Sequence, residues 1–288
     1  MNIPLNQTQI QPDKASSSRR GWLLISVFTL LALVFGTLFR GSLSLQVVGV
    51  WILEGAAILA CLTPVMALAV WRGKPGEWQD VGLALGVWFM NFSCLVLMRR
   101  LPIFSSLQWN WTGKVFAIVA SLVFIGLWRG ISWRETGFAG LRKGSWLPLI
   151  VLTLFWLALS GPWIGNDPTK TETLLFQLTM PGIDEEIVYR GIMLVLLNRA
   201  FGTPWKVLGA SVGWGWILTS VLFGLVHSIE FNQFQFQFSI TRLIFPSLSG
   251  ILMGWIRERT DSLYPAILLH NMGNATQYIV NALVNGLA

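Results

Sequence analysis

Long apolar runs alternate with short polar breaks along this chain, and their spacing predicts its elements. A helix that crosses a bilayer needs about 20 mainly apolar residues. Runs of that kind occupy 21–39, 43–71, 79–98, 113–131, 146–165, 173–199, 208–229, 239–257 and 263–285, of which 113–131 is the weakest. The second run is long enough to tilt or bend at Pro64 but too short to cross twice. The expected fold is all-α, a polytopic transmembrane helix bundle of eight or nine spans. Residues 1–20 are polar and read as a disordered cytosolic tail. The run after them is longer than a signal-peptide core and has no small-residue cleavage site before Arg40, so it reads as a retained anchor. The mixed, glycine-containing stretch 132–145 reads as an interfacial connector. It divides an N-terminal transmembrane region, 21–145, from a C-terminal one, 146–288. The short segment 231–238 (FNQFQFQF) alternates aromatic and amide residues, as a strand or an interfacial segment does.

Composition turns that pattern into a statement about solvent. Hydrophobic residues make up 54% of the chain and charged ones only 11%, against about 25% charged in a water-soluble domain. Mean hydropathy is +0.62. Lipid must therefore cover much of the surface, and membrane lipids are expected partners. The formal net charge is +7, but the basic residues are scattered at the ends of apolar runs without a dense patch. That argues against a nucleic-acid partner. With the N-terminus in the cytosol and nine crossings, thirteen basic residues fall on the cytosolic side. Five fall opposite (Arg40, Arg99, Arg100, Lys114 and Lys170), and Arg190 and Arg242 lie inside spans. This is the positive-inside bias of a multi-pass protein, although Arg99 and Arg100 run against it. Cys61 and Cys94 sit in apolar runs and read as small packing residues.

Ionisable groups inside a bilayer are costly and mark function by default. The first two-thirds of the chain supply almost none, Glu54 excepted, and that one reads as paired with a neighbouring helix. The run 173–199 supplies Asp184, Glu185, Glu186 and Arg190 within PGIDEEIVYRG. Glu186 and Arg190 are four apart on one helical face and can pair. Glu185 is turned about 100° away and has no cation on its own helix. Pro181, one turn earlier, frees the carbonyl of Gln177 and loosens the helix beside this polar cluster. The only two histidines, His227 and His270, fall in the same C-terminal region, and Asn274 shares a helical face with His270. Among secondary candidates, Asp184 would cap or hydrate the bend, and Tyr189 would either reach Glu185 or pack. Asn271 and Gln277 are substrate-contact candidates by proximity. Arg242 would snorkel to the interface.

These residues carry a specific resemblance. EEIVYRG resembles the EExxxR motif of the CAAX-protease and bacteriocin-processing (CPBP) family, FGLVH its FxxxH motif (Phe223, His227), and HNMGN its His-x-x-x-Asn motif (His270, Asn274). All three occur in order, and the likeness spans roughly 173–285. It implies a membrane-embedded endopeptidase related to the type II CAAX prenyl endopeptidase, acting on a membrane-associated protein or peptide, prenylated or not. It further implies roles: Glu185 as general base on a water that His227 orients, with His270 and Asn274 as donors to the oxyanion. Members of the family have been described both as glutamate proteases and as metalloproteases. Glu185, His227 and His270 would also suit a three-ligand zinc site with an open fourth position. The HExxH pairing is absent, and the metal-free route, which requires no cofactor, is preferred. Two other classes compete with an enzyme. A non-catalytic membrane factor, such as a bacteriocin-immunity or partner-stabilising protein, could keep the cluster for structure. A transporter would show repeats and polar residues in both halves, and the first half is nearly bare.

One geometric demand follows. At about 1.5 Å per residue, Glu185 lies about 21 Å from Arg199, whereas His227 lies about 31 Å from Lys206. The two can meet only if the helix carrying His227 is tilted or begins later, near Gly213.

Overall fold

A computed structural model describes residues 14–38, 45–99, 101–104, 106–140, 146, 149–151, 153–154, 168–232 and 234–288. Four long helices come first: α1 (Lys14–Leu38), α2 (Leu45–Gly73), α3 (Trp78–Leu97) and α4 (Trp111–Trp128). Then follow α5 (Thr171–Glu186), a π-helical stretch Ile187–Met193 that runs on from it, and α6 (Leu194–Phe201). The last three are α7 (Trp214–Ser228), α8 (Ile240–Thr260) and α9 (Tyr264–Asn285). Helices α1 to α4 are long and apolar enough to cross a membrane, and α7 is apolar but only 15 residues long. The expected span 146–165 lies for the most part outside the described residues.

The all-α expectation needs amending at two places. Trp205–Val207 and Ala210–Val212 form an antiparallel hairpin, and Ile229–Asn232 pairs with Gln235–Phe238 in a second. In the first, Leu208 and Gly209 both take positive φ, as a two-residue turn matched to strand twist requires. That hairpin occupies the head of the expected span 208–229, so α7 begins after Gly213. The second hairpin is the FNQFQFQF segment, its alternation now seen as a register that sets Phe231 against Phe236. The expected tail also changes, because α1 already begins at Lys14. Its first turns are held where the Trp128 indole N–H donates to the Ser17 carbonyl at 2.8 Å.

Contacts between helix ends sort into two rims. One joins the start of α1 to the end of α4, and the α2–α3 link to the end of α6, where the Gly76 N–H donates to the Ala200 carbonyl at 2.9 Å. The connector is stitched in there as well. Arg199 reaches the Gly130 carbonyl and Glu135, and the Leu263 N–H donates to the Gly137 carbonyl at 2.8 Å. The other rim joins α1 to the end of α3, where the backbone of Gly36 lies against Leu97, and α2 to the second hairpin, where Gly49 lies under Phe234. It also holds the starts of α4 and α5, with the Trp109 indole N–H donating to Thr173 and the Trp111 indole N–H to Glu172. The end of α9 closes it, paired to Thr169. Each helix therefore runs from one rim toward the other, and the polar cluster lies between them.

Candidate active site

The site is assembled where α5, α7 and α9 meet α3 and α4. Small residues bring the helices close enough. A side-chain carbon on Gly182 would lie 2.5 Å from Asn271 Oδ1 and 2.6 Å from the Ile267 carbonyl, so α5 touches α9 through glycine. Asn271 is used inside the protein: its Oδ1 accepts the Gly182 N–H at 2.7 Å. Gly224 on α7 likewise meets the Leu243 backbone and Ser247 of α8, a small-residue contact of the kind that packs membrane helices. Pro181 lies within α5. The departure from α geometry falls on Ile187–Met193, and such π segments often accompany functional sites.

Two hydrogen-bonded groups result. In the first, Arg190 Nη1 donates to Glu186 Oε1 at 3.0 Å, with both side chains fully buried, and His270 Nδ1 lies 2.7 Å from the same oxygen. A carboxylate oxygen only accepts, so Nδ1 carries the proton and the ring is fixed with Nε2 turned toward Glu185. That nitrogen lies 3.6 Å from Glu185 Oε2. In the second group, Lys114 Nζ on α4 lies 2.5 Å from Glu185 Oε1 and 2.9 Å from Asp184 Oδ2. Asn91 Nδ2 on α3 donates to Asp184 Oδ1 at 2.7 Å. Glu185 thus has one oxygen held by an ammonium and the other, Oε2, without a hydrogen bond among the described residues.

His227 is oriented by its own helix. Its Nδ1 lies 2.7 Å from the Phe223 carbonyl, which only accepts, so Nε2 keeps its lone pair. The Phe223 ring is the hub of the site. It lies 4.6 Å from the His227 ring, 5.7 Å from His270 and 5.3 Å from Tyr189, with the Arg190 guanidinium 4.7 Å over it. Glu185, His227 and Tyr189 open into a cavity of about 1040 Å³ that also touches Glu54, Trp88, Asn91 and Arg242. Asn274 stands one turn beyond His270 on α9, half-buried, and Gln277 lies nearly another turn on.

The match to known proteins falls on this ground. Residues 168–276 fit the family model for type II CAAX prenyl endopeptidase Rce1-like proteins. The chain carries an Rce1-like domain. The domain includes Glu185, Glu186, Arg190, His227, His270 and Asn274, and leaves out Lys114 and Asn91. Neither a curated protein nor a solved structure matches the chain. With four apolar helices beside the Rce1-like domain, this is an integral membrane protein.

Two expectations about the N-terminal region are corrected here. Lys114, near the start of the run 113–131, was counted with the basic residues at the non-cytosolic surface. It does lie in the first turn of α4, which Asn110 caps by accepting the Gly113 N–H at 3.1 Å, but its side chain is only 10% exposed and turns inward to Asp184 and Glu185. Nor is the first half bare, since Lys114, Asn91 and Glu54 all face the site or its cavity. The signal that could have found Lys114 is charge balance. Three acids and one arginine in 184–190 demand another buried cation, and an unpaired charge in lipid is too costly to stand.

The three residues of the zinc alternative sit near one another, and each keeps one donor atom without a hydrogen bond, Glu185 Oε2, His227 Nε2 and His270 Nε2, but they are not gathered round a common point. An ammonium occupies Glu185 Oε1, and Glu186 takes His270 Nδ1. Among the described residues no three His, Cys, Asp or Glu side chains are grouped to hold a metal ion. The arrangement does not fit a three-ligand zinc centre.

Proposed function

We propose that this protein is an intramembrane peptidase that hydrolyses a peptide bond in a membrane-associated protein or peptide, using a water activated by Glu185. The observation that carries the reading is the state of that carboxylate. One oxygen is tied to Lys114, and the other is free beside His270 Nε2, with His227 sharing the same cavity. The Rce1-like match supports the same chemistry, and the CAAX prenyl substrates in that family's name make a lipidated peptide the natural probe.

In the proposed reaction Glu185 Oε2 accepts one water proton and the Nε2 lone pair of His227 holds the other hydrogen. The water oxygen attacks the scissile carbonyl. Charge developing on the carbonyl oxygen is met by the Nε2–H of protonated His270, held by Glu186, and by the Asn274 amide. Glu185 then passes its proton to the departing amine, and the carbon–nitrogen bond breaks. Lys114 and Arg190 keep the two glutamates fixed throughout. No step is routed through a metal, since among the described residues no three His, Cys, Asp or Glu side chains are grouped to hold one. The orientation follows the charge: nine crossings with the N-terminus in the cytosol put the rim of Arg129, Arg199 and Lys206 inside.

Cleavage of a fluorogenic prenylated CAAX-type peptide by the purified protein in detergent tests this reading. Glu185→Gln should lower kcat by about 10²- to 10⁴-fold, and His270→Ala by about 10²- to 10³-fold. A zinc chelator should change nothing. Activity that survives Glu185→Gln would end the proposal, and loss on chelation with recovery on added zinc would replace it with a metal mechanism.

A further inference from the structure

The wall of the cavity that holds Glu185 and His227 includes a strand met edge-on. Along a strand, successive side chains point to opposite faces. A strand that lined a cavity with one face would therefore contribute every second residue. Ile229, Glu230, Phe231 and Asn232 all line this cavity, and none of Gln235–Phe238 does. The cavity thus runs along the free edge of the first strand of the second hairpin, which begins two residues after His227.

Register tells which backbone groups that edge presents. Ile229 stands opposite Phe238, Glu230 opposite Gln237, Phe231 opposite Phe236 and Asn232 opposite Gln235. One place further back, the Ser239 N–H donates to the Ser228 carbonyl at 3.1 Å. Bonded and non-bonded pairs alternate in an antiparallel ladder, so Ser228, Glu230 and Asn232 bond to the partner strand. Ile229 and Phe231 turn their backbone groups the other way, toward the cavity. The Ile229 N–H is spent on the Leu225 carbonyl, where it closes α7. The Ile229 carbonyl and both the N–H and the carbonyl of Phe231 have no hydrogen bond among the described residues. Backbone groups away from bulk water are costly unless paired, and the strand, IEFN, has neither the Pro nor the Lys that commonly blunts an open edge.

We infer that this edge is a substrate-binding track: the peptide to be cut lies extended in the cavity and adds a strand beside Ile229–Asn232. It bonds to the Ile229 carbonyl and to the N–H and carbonyl of Phe231. The inference rests on the peptidase reading, which it deepens by naming how the substrate is held. A strand edge grips an extended chain through main-chain hydrogen bonds, and the cavity it borders is the one that Glu185 and His227 share. Four residues of chain reach at most about 14 Å, so the substrate residue paired with Phe231 lies within about four residues of the scissile bond. A helix has its own N–H and carbonyl groups paired internally. A substrate that is helical in the membrane must therefore unwind over these residues before it is cut.

Methylating the substrate's amides tests the pairing. Each of a set of fluorogenic peptides carries one N-methyl group, walked through the residues that flank the scissile bond and sparing that bond. With the full-length wild-type protein, kcat/KM should fall about tenfold at two positions two residues apart, those facing the Ile229 and Phe231 carbonyls. The position between them should change by less than about twofold. A flat profile, or equal loss at neighbouring positions, overturns the inference. On the protein side, Phe231→Pro removes an N–H that the hairpin does not use, and an edge position of that kind tolerates proline. Phe231→Ala keeps the N–H and removes only the ring, which lies 5.5 Å from Phe236. Folded Phe231→Pro should cleave about tenfold less efficiently than Phe231→Ala, and equal efficiency overturns the inference. If Phe231→Pro does not fold, the methylation profile decides. Fluorescence anisotropy of the same peptides on Glu185→Gln separates the track from the chemistry. Binding lost at alternate positions, with no cleavage by wild type, would keep the track and end the peptidase reading. Cleavage with a flat profile would do the reverse.

Discussion

The two halves of this molecule meet the membrane differently. In α1 and α2 the most apolar windows are only 22% buried, so most of their side chains face outward. The C-terminal helices are polar by comparison: α5 carries three acids in a row, α8 ends in Arg257, Glu258 and Arg259, and α9 holds one histidine and several asparagines. Their polarity can be sustained only because other helices cover it. Helices α3 and α4 do the covering, with windows 67% and 50% buried, and each sends one polar side chain into the cluster. The apolar half is therefore more than an anchor. Through Lys114 it supplies the charge that lets Asp184 and Glu185 exist where they do.

The comparison can be broken by removing charges on either side of it. Arg190→Leu acts within the C-terminal half and strands Glu186, so it should destabilise by about 3–5 kcal/mol, read as the unfolding midpoint in detergent. Gly182→Ala forces a methyl against Asn271 and the Ile267 carbonyl and parts α5 from α9. It should lose about 1–3 kcal/mol together with activity, while an alanine at exposed Gly140, where nothing lies within 4 Å, should do neither. Asn91→Leu acts across the halves through a single hydrogen bond, and leaving the Asp184 oxygen unpaired should cost about 1–3 kcal/mol. A shift of the unfolding midpoint no larger than that of a surface substitution would show that α3 contributes packing alone.

The smallest effect lies at the rim where Arg199 meets Glu135, outside the spans. Burial alone would raise the Glu135 carboxyl, but hydrogen bonds from Ser132 and from Arg199 at 2.6 Å outweigh it and hold the group below its ordinary value. A lowered folded value stabilises above the ordinary carboxylate range, and that stabilisation is lost as pH falls through the folded value. The pair is partly exposed, so its worth is at most about 1 kcal/mol. Glu135→Gln should therefore lower stability slightly at pH 7 and make no difference at strongly acid pH, as unfolding midpoints at the two pH values would reveal.

Much of this was legible from the chain itself. The runs 79–98 and 263–285 fall within a residue or so of α3 and α9. Distance alone required the His227 helix either to tilt or to begin later, near Gly213, and α7 starts just after it. Three things were hidden. The first hairpin was read as the head of a span, because Val207, Leu208, Ala210 and Val212 are as apolar as helix. The π-helical stretch has no marker in residue type. Lys114 looked like a surface lysine at the head of a span because its role depends on a partner 71 residues away, and no local pattern encodes that.

The central claim is that Lys114, from outside the Rce1-like domain, holds Glu185, the carboxylate proposed to activate water. The direct measurement is kcat for peptide cleavage by Lys114→Met and Lys114→Arg, each taken on protein whose unfolding midpoint shows it folded. The account predicts that Lys114→Met loses about 10²-fold or more, the scale of a misplaced general base, and that Lys114→Arg recovers part of it by keeping the charge. Folded Lys114→Met that cleaves at the wild-type rate would contradict it, and would reduce the N-terminal helices to an anchor.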